Sequence, residues 1–160
     1  FRSKAYPNLS ADARSWIYGK GEELYSTVYN ANCEYIAGFL RDPSTIPNIA
    51  IFNLIKSKKY NAYIEQEKDA KDIFEKHAKG IEGWHVMKRK GMVVNSEGAW
   101  DMVTIDLFDT WEKANQNWWS EIPRNVMKKH NEKHGSDLRE IRHRVMTGLL
   151  FDARTDEKED

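Results

Sequence analysis

His85 follows Trp84 in a segment, Gly83-Trp84-His85-Val86-Met87-Lys88-Arg89, whose alternation suits a strand, and the strand expected to pair with it carries Asp101 and Asp106. An imidazole beside a carboxylate can act as a general base or bind haem iron. His85 is therefore the candidate catalytic residue. The plainer alternative is a polar side chain on a half-exposed strand face. Trp84, Trp100, Trp111, Trp118 and Trp119 are many indoles for one domain. With His85, the trio Trp84, Trp100 and Trp118 forms the candidate ligand pocket, in which aromatic walls supply apolar contact and the imidazole orients a polar group. Core packing explains the same residues. Trp118 and Trp119 point in different directions on a helix, so at least one faces something other than the main core.

His130 and His134 are four apart and would share a helix face, as metal ligands can. The intervening Asn131-Glu132-Lys133 does not place Glu where a zincin needs it, and the segment reads instead as a solvated helix end; no metal is expected. Residues 124–144 hold seven Lys or Arg against three acidic groups. This is a local basic patch on a chain with 25 basic and 25 acidic residues. Zero net charge argues against nucleic acid as the partner. No Gly-rich phosphate loop, nucleophile elbow or CxxC occurs, which disfavours nucleotide hydrolases, serine esterases and structural zinc modules. Cys33 is the one cysteine, so an intramolecular disulfide is impossible and the thiol reads as a small buried apolar group.

The elements that must hold these residues follow from hydrophobic spacing. Ile49–Ile55 is a short apolar run bounded by turn residues and lysines, and predicts a buried strand. Tyr60, Tyr63, Ile64, Ala70, Ile73, Phe74, His77, Ala78 and Ile81 mark a helical stripe, with Glu65, Glu67, Lys68, Asp69, Lys71, Asp72 and Lys76 on much of the other face and Gly80 placed to end it. Strands are expected near 84–89 and 100–108, with a turn in Lys90–Gly98. Asp109-Thr110 can cap a helix over 111–122. Pro123 kinks or restarts it, a helical turn covers Leu138 to Ile141, and a last strand spans 145–151. Before the proline-rich loop Arg41–Asn48, the spacing predicts a short helix with Trp16 and Ile17 and a longer one over Glu22–Leu40. The expected fold class is thus α+β: a ferredoxin-like split βαβ unit with a four-stranded antiparallel sheet, helices on one face, and an N-terminal helical arm. The domains are an arm at 1–47, the α+β body at 48–153 and an acidic tail at 154–160. Both faces of the strands are apolar, so the face away from the helices needs a cover: a second subunit, the arm or an apolar ligand.

The succession Ile49–Ile55, then Tyr60–Ile81 with Gly80-Ile81-Glu82-Gly83-Trp84, then Trp100–Phe108, then the Trp-containing helix, resembles the dimeric α+β barrel superfamily over roughly residues 48–153. The resemblance implies ferredoxin-like units paired sheet to sheet as a homodimer. Its members include stress-responsive proteins, cofactor-independent monooxygenases, haem-degrading enzymes and proteins without known activity.

Three functions stay open on these grounds. One is a small-ligand-binding or stress-response-type module without assured catalysis. Another is a cofactor-independent monooxygenase or haem-associated enzyme working through His85; haem is the one cofactor that reading admits. The third is a structural subunit of an assembly, with arm tyrosines and Trp16 as contact surface. Expected partners are a second copy or a protein assembly, and a small apolar or aromatic ligand. No stretch approaches the ~20 apolar residues of a membrane helix. Phe1 stands where a Met would start a chain, which a removed signal peptide explains and a trimmed boundary explains equally; the compartment stays open. Asn8-Leu9-Ser10 fits the glycosylation acceptor pattern.

Overall fold

The computed structural model describes Ser10 and residues 32–91 and 99–148. The chain divides into two compact units, Phe1–Ala31 and Asn32–Asp160. The expected helix around Trp16, the glycosylation tripeptide apart from Ser10, and the acidic tail lie outside the described residues.

The second unit is built on a five-stranded, wholly antiparallel sheet. Its elements in chain order are β1 (Cys33–Leu40), β2 (Ile49–Ser57), α1 (Tyr60–His77), β3 (Gly83–Arg89), β4 (Met102–Phe108), α2 (Trp111–Ala114), a 3-10 turn (Trp118–Glu121), α3 (Arg124–His134) and β5 (Arg139–Gly148). The strand order is β1-β3-β4-β2-β5.

This corrects the expected fold class, a four-stranded ferredoxin-like sheet with a helical arm. Cys33–Leu40 is not the end of a helix but a fifth strand on the outer side of β3. Its Tyr, Ile and Phe residues suit either state, and pairing with β3 decides. A bulge between Tyr35 and Ala37 lets the strand keep Phe39 on the core side, opposite Trp84. Gly38 permits the close approach: a Cβ there would lie 2.4 Å from His85 Nδ1 and from the Trp84 carbonyl oxygen. The unit therefore begins at Asn32, ahead of the Arg41–Asn48 loop.

The single helix expected over 111–122 is also replaced. Thr110 Oγ1 accepts from the Lys113 amide and starts α2, but the helix stops after one turn. Asn115 Nδ2 donates back to the Trp111 carbonyl, the kind of local side-chain bond that competes with helix continuation. Pro123 then stands at the entry to α3, where its missing N–H is harmless. Arg139–Ile141, expected as a helical turn, is the start of β5. Residues 149–151, expected to end that strand, are outside the described residues.

α1 packs over β1 and β3, and the core lies between the sheet and the helices. Phe74 sits at its centre, edge-on to Trp84, Trp118 and Trp119 with ring centroids 5.1, 5.3 and 4.9 Å away. Arg41, just past β1, fixes the far end of α1. Its guanidinium donates to the carbonyls of Glu75, Ala78 and Ile81 at 3.1, 2.6 and 2.8 Å, satisfying groups that a helix end leaves unpaired. No helix among the described residues is long and apolar enough to cross a membrane.

Candidate functional site

β2 and β4 turn alternate residues toward the helices. On β2 these are Ile49, Ile51, Asn53 and Ile55; on β4 they are Met102, Thr104, Asp106 and Phe108. Three of the eight are polar, and all three are buried. They meet Glu67 from the inward face of α1 and two arginines from β5, Arg139 and Arg144. Burying such groups without partners would cost several kcal/mol, so the partners matter.

The contacts form two halves. In the first, Asn53 Nδ2 donates to Thr104 Oγ1 and to Asp106 Oδ2, each at 3.2 Å, and Asn53 Oδ1 accepts from Arg144 Nε at 2.8 Å. In the second, Arg139 Nη1 donates to Glu67 Oε1 at 3.2 Å and to the Tyr63 hydroxyl at 3.1 Å. Arg139 is thus paired with a carboxylate. Arg144 makes no ion pair with a described residue, and Asn53 is the one hydrogen-bonded partner its guanidinium has among them.

Burial raises Asp106 to about 6; the Asn53 hydrogen bond and the charges of Arg139 and Arg144 pull it down, and Glu67 adds to the rise. Burial raises Glu67 as well, against the pull of Arg139 and the Tyr63 hydroxyl. The Tyr63 phenol is pushed well up by burial and by Glu67. Asp106 is therefore a carboxyl that changes charge near neutral pH, the property a general acid or base needs.

Three clefts with shared lining residues open beside these groups. A central chamber of about 40 Å³ is floored by Asn53, Thr104, Asp106 and Glu67. A cleft of about 430 Å³ shares Asp106, Arg144 and Trp119 with it and continues to Asn115, Gln116 and Asn117. A third, of about 340 Å³, shares Glu67, Phe74, Arg139 and Trp119 with the chamber and is also lined by His130. Each larger cleft so carries one carboxyl and one arginine. Trp119 borders all three, stacked on Trp118 at 4.5 Å and 37% exposed.

The residues singled out in the sequence do not all meet here. Trp84 and Trp118 do face the helices and reach Phe74. His85, next along β3, turns to the opposite sheet face, pairs across to Ile105 and Gly38, and has the Tyr35 ring 5.9 Å away. Burial keeps its imidazole pKa low, and its buried Nδ1 has no hydrogen-bond partner among the described residues. Neither aspartate is beside it. Asp106 points to the other face, and Asp101 lies beyond the start of β4, accepting from the Ser57 amide and hydroxyl at 2.8 Å each. Trp100 packs under Arg89, whose guanidinium is 5.4 Å from the ring centroid. His85 and Trp100 line none of the three clefts, which leaves haem ligation by His85 without support from this geometry.

His130 and His134 do share a face of α3, with centroids 4.9 Å apart. Asp69 takes up His134, at 2.8 Å from Nε2, together with Lys133. Among the described residues no group of three or more His, Cys, Asp or Glu is placed to hold a metal.

The inward polar group was missed, although it leaves a sequence signal. Asn53 interrupts the apolar run of β2, and Thr104 and Asp106 share its inward phase on β4. Glu67, assigned from the sequence to the polar face of α1, lies four residues after Tyr63 and three before Ala70, within the apolar stripe.

The chain was compared with family models, with curated proteins and with solved structures, and none matches.

Proposed function

We propose that the second unit is a small-ligand-binding domain and that its site is the divided cleft between the sheet and Trp119. The observation that supports this is the row Asn53, Thr104, Asp106 and Glu67 at the middle of an otherwise apolar helix–sheet layer, beside clefts large enough for a small molecule. A core needs no such row. Well-packed apolar residues of similar volume generally serve stability as well as a buried ionic group does, or better. Titratable groups pushed from their usual range inside a cleft are a mark of binding and catalytic sites.

Asp106 is also positioned to accept or give a proton near neutral pH, so proton transfer on the bound molecule is the chemistry this site favours. The acid–base group of this reading is Asp106 rather than His85.

The test separates site from scaffold. In Asp106→Asn the carboxyl is replaced by an amide of the same shape. A ligand site changes its affinity and the pH dependence of its binding, while the fold holds or gains stability. An equal loss of binding and of folding stability would mean that Asp106 is a structural member of the layer, and the reading would fail.

A second reading is self-association through the other sheet face. Its inter-strand pairs Ala50–Leu107, Phe52–Ile105 and Leu54–Val103 carry no charge, and such a surface favours a protein partner. Native mass would decide it: a dimer supports the reading, and a monomer at micromolar concentration removes it.

A further inference from the structure

Arg144 differs from the other cleft cation in what it lacks. Arg139 is charge-paired with Glu67 through Nη1, which also donates to the Tyr63 hydroxyl. Arg144 is held only by its Nε, through Asn53, so both Nη groups remain without a partner among the described residues. Its side chain borders the central chamber and the larger cleft. A guanidinium fixed at one nitrogen with its outer edge unused is prepared for a planar anion, because a carboxylate can take two parallel N–H bonds from it. The rest of that cleft is of two kinds. Ile51, Phe108, Met146 and the Trp118–Trp119 stack make an apolar wall, and Asn115, Gln116 and Asn117 make a neutral polar rim.

We infer that the larger cleft takes a small organic acid, with its carboxylate on Arg144 and a flat or short apolar body against the Trp118–Trp119 wall. This rests on the ligand-binding reading of the cleft and narrows it to a chemical class. An anion beside an ionised Asp106 would be repelled. Asp106 titrates near neutral pH, so it can take up a proton as the acid binds and donate an O–H to the ligand carboxylate. Among the described residues, the charged groups that act on Asp106 are Glu67 on α1 and Arg139 and Arg144 on β5. The Trp118–Trp119 segment and the adjoining loop bring only neutral side chains to it. Because Glu67 is already paired with Arg139, Asp106 is the group that responds to a new anion. Binding therefore weakens as pH rises above the Asp106 value.

Calorimetric titration of the full chain with 3-phenylpropanoate and with its neutral amide, 3-phenylpropanamide, tests this. The acid is expected to bind at least tenfold more tightly than the amide at pH 6, about 1.4 kcal/mol. Arg144→Gln should erase that preference. Asp106→Asn should flatten the decline in acid affinity between pH 6 and pH 8. Arg144 lies on an exposed edge strand, and circular dichroism of the variant shows whether the fold is kept; Arg144→Lys, which retains the charge without the fork, serves as the second variant and should lose most of the preference. Equal binding of acid and amide to the wild type would overturn the organic-acid inference and leave a ligand cleft standing. Binding of neither would overturn both.

Discussion

Asn53 holds Asp106 with one end of its amide and Arg144 with the other: Nδ2 lies 3.2 Å from Asp106 Oδ2, and Oδ1 lies 2.8 Å from Arg144 Nε. One neutral side chain so fixes a titratable acid and a cation on three strands, with β2 in the middle.

The first consequence is a pH dependence of stability. An unfolded Asp titrates at about 3.9, and folded Asp106 titrates at about 6. Between those values the folded chain binds the extra proton, so stability falls as pH rises from about 4 to about 6 and is level above. The Asp106 contribution is about 2–3 kcal/mol. His130, lowered by burial, works in the opposite direction below its own unfolded value. The difference between wild type and Asp106→Asn isolates the aspartate. Urea midpoints are expected to coincide at pH 4 and to favour the Asn variant at pH 7.5. A constant difference across that range would contradict the assignment.

Removing Arg139 should be costly. Glu67 is 4% exposed, and without Arg139 its charge would have, among the described residues, the Tyr63 hydroxyl alone to favour it. Arg139→Met is expected to lower stability by about 3 kcal/mol. The double variant Arg139→Met with Glu67→Leu should recover most of that loss. Denaturant unfolding of the four proteins gives the coupling directly, and no recovery would mean that Arg139 acts through packing alone.

Phe74 joins three indoles, two of which form the cleft wall. Phe74→Ala is expected to cost about 3–5 kcal/mol, as large-to-small changes in a packed core do. Its tryptophan emission should shift to the red as the cluster loosens. A loss below about 1 kcal/mol would show that the cluster repacks.

His85 makes the contrasting case. Its buried Nδ1 is unpaired among the described residues and the ring lies away from the clefts. His85→Leu removes a desolvated polar atom, which typically costs about 1–3 kcal/mol to bury, and should leave stability equal or higher. Ligand affinity in the cleft should stay within twofold. A tenfold loss would return His85 to the site.

Much of the layout was legible because β2, α1, β3 and β4 each carry their own period. Burial along β2 alternates from Ile49 to Ile55 as its sequence does. β1 was not legible because Cys33–Leu40 owes its state to pairing with β3 and to a bulge, which local spacing does not encode. The helix at 111–122 failed for a different reason: Asn115 turns its side-chain amide back to the Trp111 carbonyl, a local hydrogen bond that the apolar stripe does not register. For the site, reading Trp84 and His85 as neighbours in one pocket overlooked that consecutive strand residues face opposite ways. Asn53 and Asp106, 53 residues apart, become partners only once the register of β2 on β4 is known.

The stacked pair Trp118 and Trp119 has an optical consequence. Two indoles with centroids 4.5 Å apart and planes 25° from parallel share their electronic excitations, and such a pair gives circular-dichroism bands of opposite sign that a lone indole lacks. The signal exists only while Trp119 lies against its neighbour. The side chain that borders all three clefts is therefore its own spectroscopic gauge: a ligand that swings Trp119 aside extinguishes the couplet, and one that slides in beneath it leaves the couplet intact.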